Sequence, residues 1–144
     1  MFSKRDYLSA LAKLGFVKDS ASRTDGSHIR FYHCKYKNIY AGIDDHKNTT
    51  EMKKSIHLEL IKAFVLVVYL DCKKQNGTID FDLVKEKLSG LDTTMAKSIM
   101  QRLKKINTNE RDFLKGLLTK KLLSEISKID NSLNDGVIED YIIN

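Results

Sequence analysis

Apolar and polar positions along this chain follow two different periods. A helical spacing of apolar residues runs through residues 3–14, and Gly15 follows as a helix stop. A two-residue alternation then predicts three short strands, at residues 16–20, 27–34 and 38–43. The longest apolar stretch lies in a predicted helix at about residues 49–74, which begins with the capping-box pair Asn48 and Glu51. Residues 1–75 therefore predict an α-β-β-β-α unit with a three-stranded antiparallel sheet.

The second half of the chain has a helical pattern throughout. After a turn at Asn76 and Gly77, we expect helices at residues 81–88, 94–106 and 108–129, and a last short apolar segment at 137–143. Asp80, Asp92 or Thr93, and Thr108 are the expected capping residues. The predicted fold class is α+β, with a helical region at residues 78–144 following the α-β-β-β-α unit.

The second strand divides its side chains between two faces of the sheet. Ile29, Phe31 and His33 fall on one face, which we expect to pack on the two helices, so His33 is expected to be a core histidine. His28, Arg30 and Tyr32 fall on the other face, which should stay open together with Tyr40. Histidine can carry a proton near neutral pH, arginine binds phosphate, and tyrosine can stack on a base. The open face is a candidate surface for RNA, although an ordinary polar strand face has the same pattern.

Charge and cysteine usage narrow the class of protein. The net charge of +6 is concentrated in residues 1–48 (+4) and 91–128 (+5), while residues 129–144 carry −4. Basic segments of this kind favour nucleic acid as the partner. Two well separated cysteines without a CxxC pair, a charged start and no apolar run long enough for a bilayer predict a cytoplasmic protein with free thiols and no membrane contact.

The first half of the chain resembles the HicA family of small toxin ribonucleases. The resemblance rests on the segment LAKLGF at residues 11–16, on Gly26, Ser27 and His28 opening a strand, on Tyr32 and His33, and on His46 before a lysine-containing helix start. It implies a fold similar to a double-stranded-RNA-binding domain, an mRNA-cleaving activity with His28 as the catalytic residue, and a partner antitoxin protein. Arg30, Lys13 and Lys18 are basic groups near it in sequence.

The chain departs from that family at two points. Asp25 precedes the Gly-Ser-His motif, and about 70 residues follow the expected end of the unit. An acidic neighbour would repel phosphate or raise the pKa of the histidine, and an extension could cover the sheet face. The hypothesis therefore also includes a HicA-like protein without ribonuclease activity.

A different hypothesis comes from the helical half. The predicted helices at 81–88 and 94–106 are separated by a short turn containing Gly90, which is the spacing of a helix-turn-helix. The second helix carries Lys97, Arg102 and, near its end, Lys105, opposite apolar Met95, Ile99 and Leu103. Such a helix could enter a major groove. The alternative function is thus a non-enzymatic regulator or inhibitor that binds DNA or a protein partner, and a plain helical hairpin fits the same pattern.

Neither a metal nor a cofactor is expected. Asp44, Asp45 and His46 are adjacent in sequence, so they cannot all converge on one ion from a strand. The segment 72–83 has the glycine of a calcium loop, but it has Lys74 where a carboxylate is needed and Leu83 where a glutamate is needed. We therefore expect a simple turn there.

Overall fold

The computed structural model describes residues 2–19, 28–36, 38–44, 53–105 and 110–118, together with Leu123, Ser124, Lys128 and Ile142. The elements in chain order are α1 (Lys4–Lys13), β1 (Phe16–Lys18), β2 (His28–His33), β3 (Tyr40–Asp44), α2 (Lys54–Cys72), α3 (Phe81–Leu88), α4 (Thr93–Lys104) and α5 (Glu110–Leu117). The predicted α+β class, with an α-β-β-β-α unit before a helical region, is confirmed.

Helix α1 has well defined ends. The Ser3 hydroxyl accepts a hydrogen bond from the Asp6 backbone N–H, and the Asp6 carboxylate accepts one from the Ser3 N–H. At the other end Gly15 takes a φ of +93°, a conformation that side chains other than glycine rarely adopt. The chain turns there and enters β1 one residue later.

The three strands form one antiparallel sheet in the order β1-β2-β3. Strand β1 ends at Lys18, and β3 begins at Tyr40, two residues later than predicted. The turn explains the late start, because the Ile39 N–H binds the Tyr36 carbonyl and the Ile39 carbonyl accepts from the His33 N–H. Pairing with β2 therefore begins at Tyr40, directly opposite Tyr32.

Helix α2 lies at the centre of the molecule. Nearly every position from Leu60 to Tyr69 is buried, as expected for a helix that is covered on all sides. Phe64 contacts Phe16 of β1, with ring centroids 5.9 Å apart, while Tyr69 contacts Phe113 of α5 at 4.9 Å. Buried residues of both predicted units thus join one hydrophobic core around α2. Among the described helices, none is long and apolar enough to cross a bilayer.

The predicted start of this helix is wrong. Lys53 has an extended backbone, with φ −60° and ψ 149°, so the helix begins at Lys54 and not at residue 49. The proposed capping pair, Asn48 and Glu51, lies outside the described residues.

The connection from α2 to α3 is the expected tight turn. Lys73 and Ile79 form an isolated antiparallel bridge, and Gly77 has a φ of +85°. Helix α3 then spans the predicted residues, with the Asp80 side chain accepting from the Leu83 N–H. The Asp92 carboxylate caps α4 in the same way through the N–H groups of Thr94 and Met95.

The predicted long helix at 108–129 is also wrong. Helix α5 ends at Leu117, where the Leu118 N–H bonds to the Lys115 carbonyl in a tightened last turn. Gly116 favours this end, since glycine is a poor helix former. The predicted cap Thr108 lies outside the described residues, as does most of the segment 137–143, in which only Ile142 is described and is buried.

Candidate nucleic-acid interface

One face of the sheet stays open in the described part of the chain. Phe31 and His33 are buried beneath α1 and α2, and Ile29 is partly buried with them, as the alternation predicted. On the opposite face the Arg30 side chain is 51% exposed and Tyr40 is 41% exposed. The helices α3, α4 and α5 pack on α2. Asp44, at the far end of β3 on the same face as Tyr40, is buried.

Arg30 and Tyr40 are held together on the open face. The Arg30 guanidinium carbon lies 4.5 Å from the centroid of the Tyr40 ring, within the range of a cation–π contact. The residue directly opposite Arg30 is Gly42, which has no side chain to occupy the space between them. The Arg30 Nε also lies 3.9 Å from a carboxylate oxygen of Asp19. These contacts hold a planar cation over a phenol ring on this face.

His28 is the first residue of β2, and strand alternation assigns its position to the same face as Arg30 and Tyr32. The backbone register pairs it with Asp44, a residue that is buried. In the sequence, Asp44 stood out only as one of three adjacent potential metal ligands, which cannot all converge on one ion. Its pairing with His28 depends on the sheet register, which one sequence does not specify. The neighbouring Gly26, Ser27, Asp45 and His46 lie outside the described residues.

The two other basic residues of this half lie elsewhere. Lys18 is exposed on the edge strand β1, opposite Phe31, which is a position on the helix-covered side of the sheet. Lys13, in the last turn of α1, donates a hydrogen bond to the Gly90 carbonyl in the turn between α3 and α4. The structure therefore does not bring Lys13 or Lys18 together with Arg30.

The polar side of α4 is as predicted. Met95, Ile99 and Leu103 are buried, while Lys97 and Lys105 are exposed and Arg102 is partly exposed. Lys97 borders a cleft of about 320 Å³ between α3 and α4 whose apolar lining includes Leu88 and Met100. Arg102 and Lys105 border a second cleft of about 500 Å³ between α4 and α5. The three cations therefore lie on both flanks of one helix.

His33 is a core histidine, as predicted. Its Nε2 lies 2.8 Å from the Leu14 carbonyl oxygen, and its Nδ1 accepts from the backbone N–H groups of Lys35 and Tyr36 at 3.1 Å each. These partners assign the proton of the neutral ring to Nε2. Burial lowers the pKa of His33, although its bond to Leu14 opposes that change. Both ring nitrogens serve the fold, so His33 has no free nitrogen for chemistry.

A polar cluster around Asp71 was missed by the sequence reasoning. The Asp71 carboxylate accepts from the Tyr36 hydroxyl and lies 3.3 Å from the amines of both Lys35 and Lys87. Burial alone would raise the pKa of Asp71, but the Tyr36 hydrogen bond and the two lysine charges outweigh it and lower that pKa. Burial and the bond to Asp71 raise the pKa of Tyr36 well above its usual range. The cluster joins the β2–β3 turn to α2 and α3, and no sequence period would have connected residues so far apart.

Within the residues that the structure describes, no group of three histidine, cysteine, aspartate or glutamate side chains has the geometry to hold a metal ion. Comparisons of the chain with protein-family models, with curated proteins and with solved structures found no match.

Proposed function

We propose that this protein acts on RNA through the open sheet face, as a HicA-like metal-independent endoribonuclease toxin or an inactive relative of one. The observation that carries the proposal is that Arg30 and Tyr40 are exposed on this face, with Arg30 two residues from the position of His28. The order of helices and strands is also the one that the HicA resemblance implies. An antitoxin protein would be the corresponding partner.

The chemistry needs a base, a positive charge and an acid. In the proposed reaction His28 takes the proton of a ribose 2′-hydroxyl, whose oxygen attacks the adjacent phosphorus. Arg30 stabilises the negative charge that develops on the phosphate oxygens. The bond from phosphorus to the 5′-oxygen breaks, that oxygen takes a proton from water, and the proton on His28 passes to solvent. The product carries a 2′,3′-cyclic phosphate.

The test is cleavage of a single-stranded RNA oligonucleotide in EDTA. We expect wild-type protein to cleave it with a cyclic-phosphate end, and we expect His28→Ala to fall to the rate of a protein-free sample. His33→Asn is the matched control, because it removes a histidine that is occupied by the fold and should keep cleavage wherever the protein stays folded. Equal activity of wild type and His28→Ala would contradict the catalytic role, and cleavage of an oligonucleotide with 2′-O-methyl groups throughout would contradict the chemistry.

A second candidate function is duplex DNA binding by the helical half. Helices α3 and α4 are joined by a four-residue turn, 89–92, and Lys13 of α1 holds this turn through the Gly90 carbonyl. Exposed residues Thr94, Lys97 and Gln101 follow one another along α4 at helical spacing. A helix held at such a turn with its polar side free is the arrangement by which helix-turn-helix proteins enter the major groove. Under this second candidate function, the protein is a non-enzymatic regulator that binds DNA.

Salt dependence of DNA binding tests this candidate. Lys97→Gln combined with Lys105→Gln removes two exposed charges beside α4, so the slope of log K against log salt should become less steep by about 2. Lys53→Gln combined with Lys74→Gln removes the same charge from exposed positions beyond the two ends of α2 and is expected to change the slope much less. Equal slopes for the two double variants would exclude α4 as the DNA-binding element.

A further inference from the structure

We infer that the open sheet face is a stacking platform for the unpaired bases of single-stranded RNA, formed by Tyr40, Tyr32 and Arg30. This inference rests on the proposed function, because it names the form of RNA that the face recognises. It concerns binding and not the cleavage step, so the two can fail separately.

The platform is a row of side chains across all three strands. The register places Val17 of β1 opposite Tyr32 of β2, and Tyr32 opposite Tyr40 of β3. Side chains that are directly opposite in antiparallel strands lie about 5 Å apart at their Cβ atoms and share a face. The row is therefore continuous from one edge of the sheet to the other.

The two outer members of the row are exposed, while Tyr32 between them is partly buried. Val17 and Tyr40 are two of the four large apolar side chains that are exposed in the described residues, at 40% and 41%. The other two, Leu58 and Phe81, lie apart on α2 and α3. A strand face that is only solvated would be expected to carry polar residues at these positions.

Arg30 extends the platform and gives it charge. Its guanidinium lies over the Tyr40 ring at 4.5 Å from the centroid, so the pair presents an exposed cationic plane. Bases stack on guanidinium planes as well as on aromatic rings. Arg30 also provides the positive charge that a phosphate needs next to each stacked base, and its ion pair with Asp19, at 3.9 Å, is long enough to be exchanged for a phosphate.

These features favour single strands over a duplex. In a double helix the base faces are occupied by neighbouring bases, so an aromatic platform has nothing to stack on. A protein partner would also bury apolar side chains, and it is the outcome to expect if the single strand does not bind. The net charge of +4 in residues 1–48 is complementary to a polyanion.

The test compares Tyr40→Leu with Phe81→Leu, two exposed aromatic residues replaced in the same way. The probe is an uncleavable 2′-O-methyl oligonucleotide, offered as a single strand, as a duplex, and as a single strand with abasic sites in place of bases. We expect Tyr40→Leu to weaken binding of the single strand about tenfold, with little change for the duplex or the abasic strand. Phe81→Leu should bind all three probes as wild type does.

Different results would refute the stacking platform and the ribonuclease activity. If wild type binds the single strand and Tyr40→Leu binds it equally well, the platform is refuted while RNA cleavage through His28 stands. The same conclusion follows if Tyr40→Leu loses as much affinity for the abasic strand or the duplex. If Tyr40-dependent binding is found without any cleavage of ordinary RNA, the ribonuclease is refuted and the platform is supported.

Discussion

Gly15→Ala is expected to destabilise the fold by about 3 kcal/mol, from strain and lost hydrogen bonding together. Gly15 has a φ of +93°, where an alanine is strained whatever its surroundings. A Cβ at this position would also lie 2.8 Å from the Nε2 of His33. The imidazole would have to move, and the bond between its Nε2 and the Leu14 carbonyl would be lost. Chemical denaturation measures the effect as a shift of the urea midpoint.

Two other glycines distinguish backbone strain from the contact with His33 as the cause of the destabilisation. Gly77 has a φ of +85° but nothing within 4 Å of an added Cβ, so Gly77→Ala should cost only the strain, about 1 kcal/mol. Gly116 lies in α5 with free space and no positive φ, so Gly116→Ala should stabilise the protein by about 0.5 kcal/mol. If Gly15→Ala and Gly77→Ala lower the free energy of unfolding equally, the contact with His33 does not contribute to the destabilisation.

Asp71→Leu is the second change with a large expected effect, about 2–3 kcal/mol at neutral pH. It leaves the hydroxyl of the buried Tyr36 without its acceptor and removes the anion between Lys35 and Lys87. Lys35→Met is the matched control from the same cluster. The Lys35 side chain is 65% exposed, so its loss should cost no more than about 0.5 kcal/mol.

The pH dependence of the unfolding free energy tests the role of the Asp71 cluster independently. The folded-state pKa of Asp71 is lower than the ordinary value of 3.8, so its stabilising contribution is complete above that value and is lost as the pH falls through the folded-state pKa. The difference in unfolding free energy between wild type and Asp71→Leu should therefore narrow below about pH 4. A difference that stays constant into acid would contradict an electrostatic origin.

The fold was largely predictable because apolar residues recur regularly, at two-residue spacing in the strands and at helical spacing in the helices. Alternation in β2 placed Phe31 and His33 inside and Arg30 outside, since one face of that strand is covered and the other is not. The errors occurred at helix ends. Lys53 is extended and Leu118 bends although the local pattern continues on both sides.

The candidate site was predictable only within a single strand. His28, Arg30 and Tyr32 share a face by alternation alone, which needs no knowledge of the partners. The pairing of Arg30 with Tyr40, and of His28 with Asp44, depends on the register set by the β2–β3 turn. Lys13 is close to this strand in sequence, yet α1 directs it to Gly90, a residue 77 positions away.

Burial of α2 on all sides limits how this protein can have evolved. Phe64 and Tyr69 are both buried, but the first contacts the sheet and the second contacts α5. An ancestor that ended after α2 would have exposed the second of these surfaces to water, so it would have needed polar residues there. In a chain without the helical half, the side chain of Tyr69 would lose its contact with α5 and lie in water. A shorter homologue is therefore expected to have a polar residue where this chain has Tyr69.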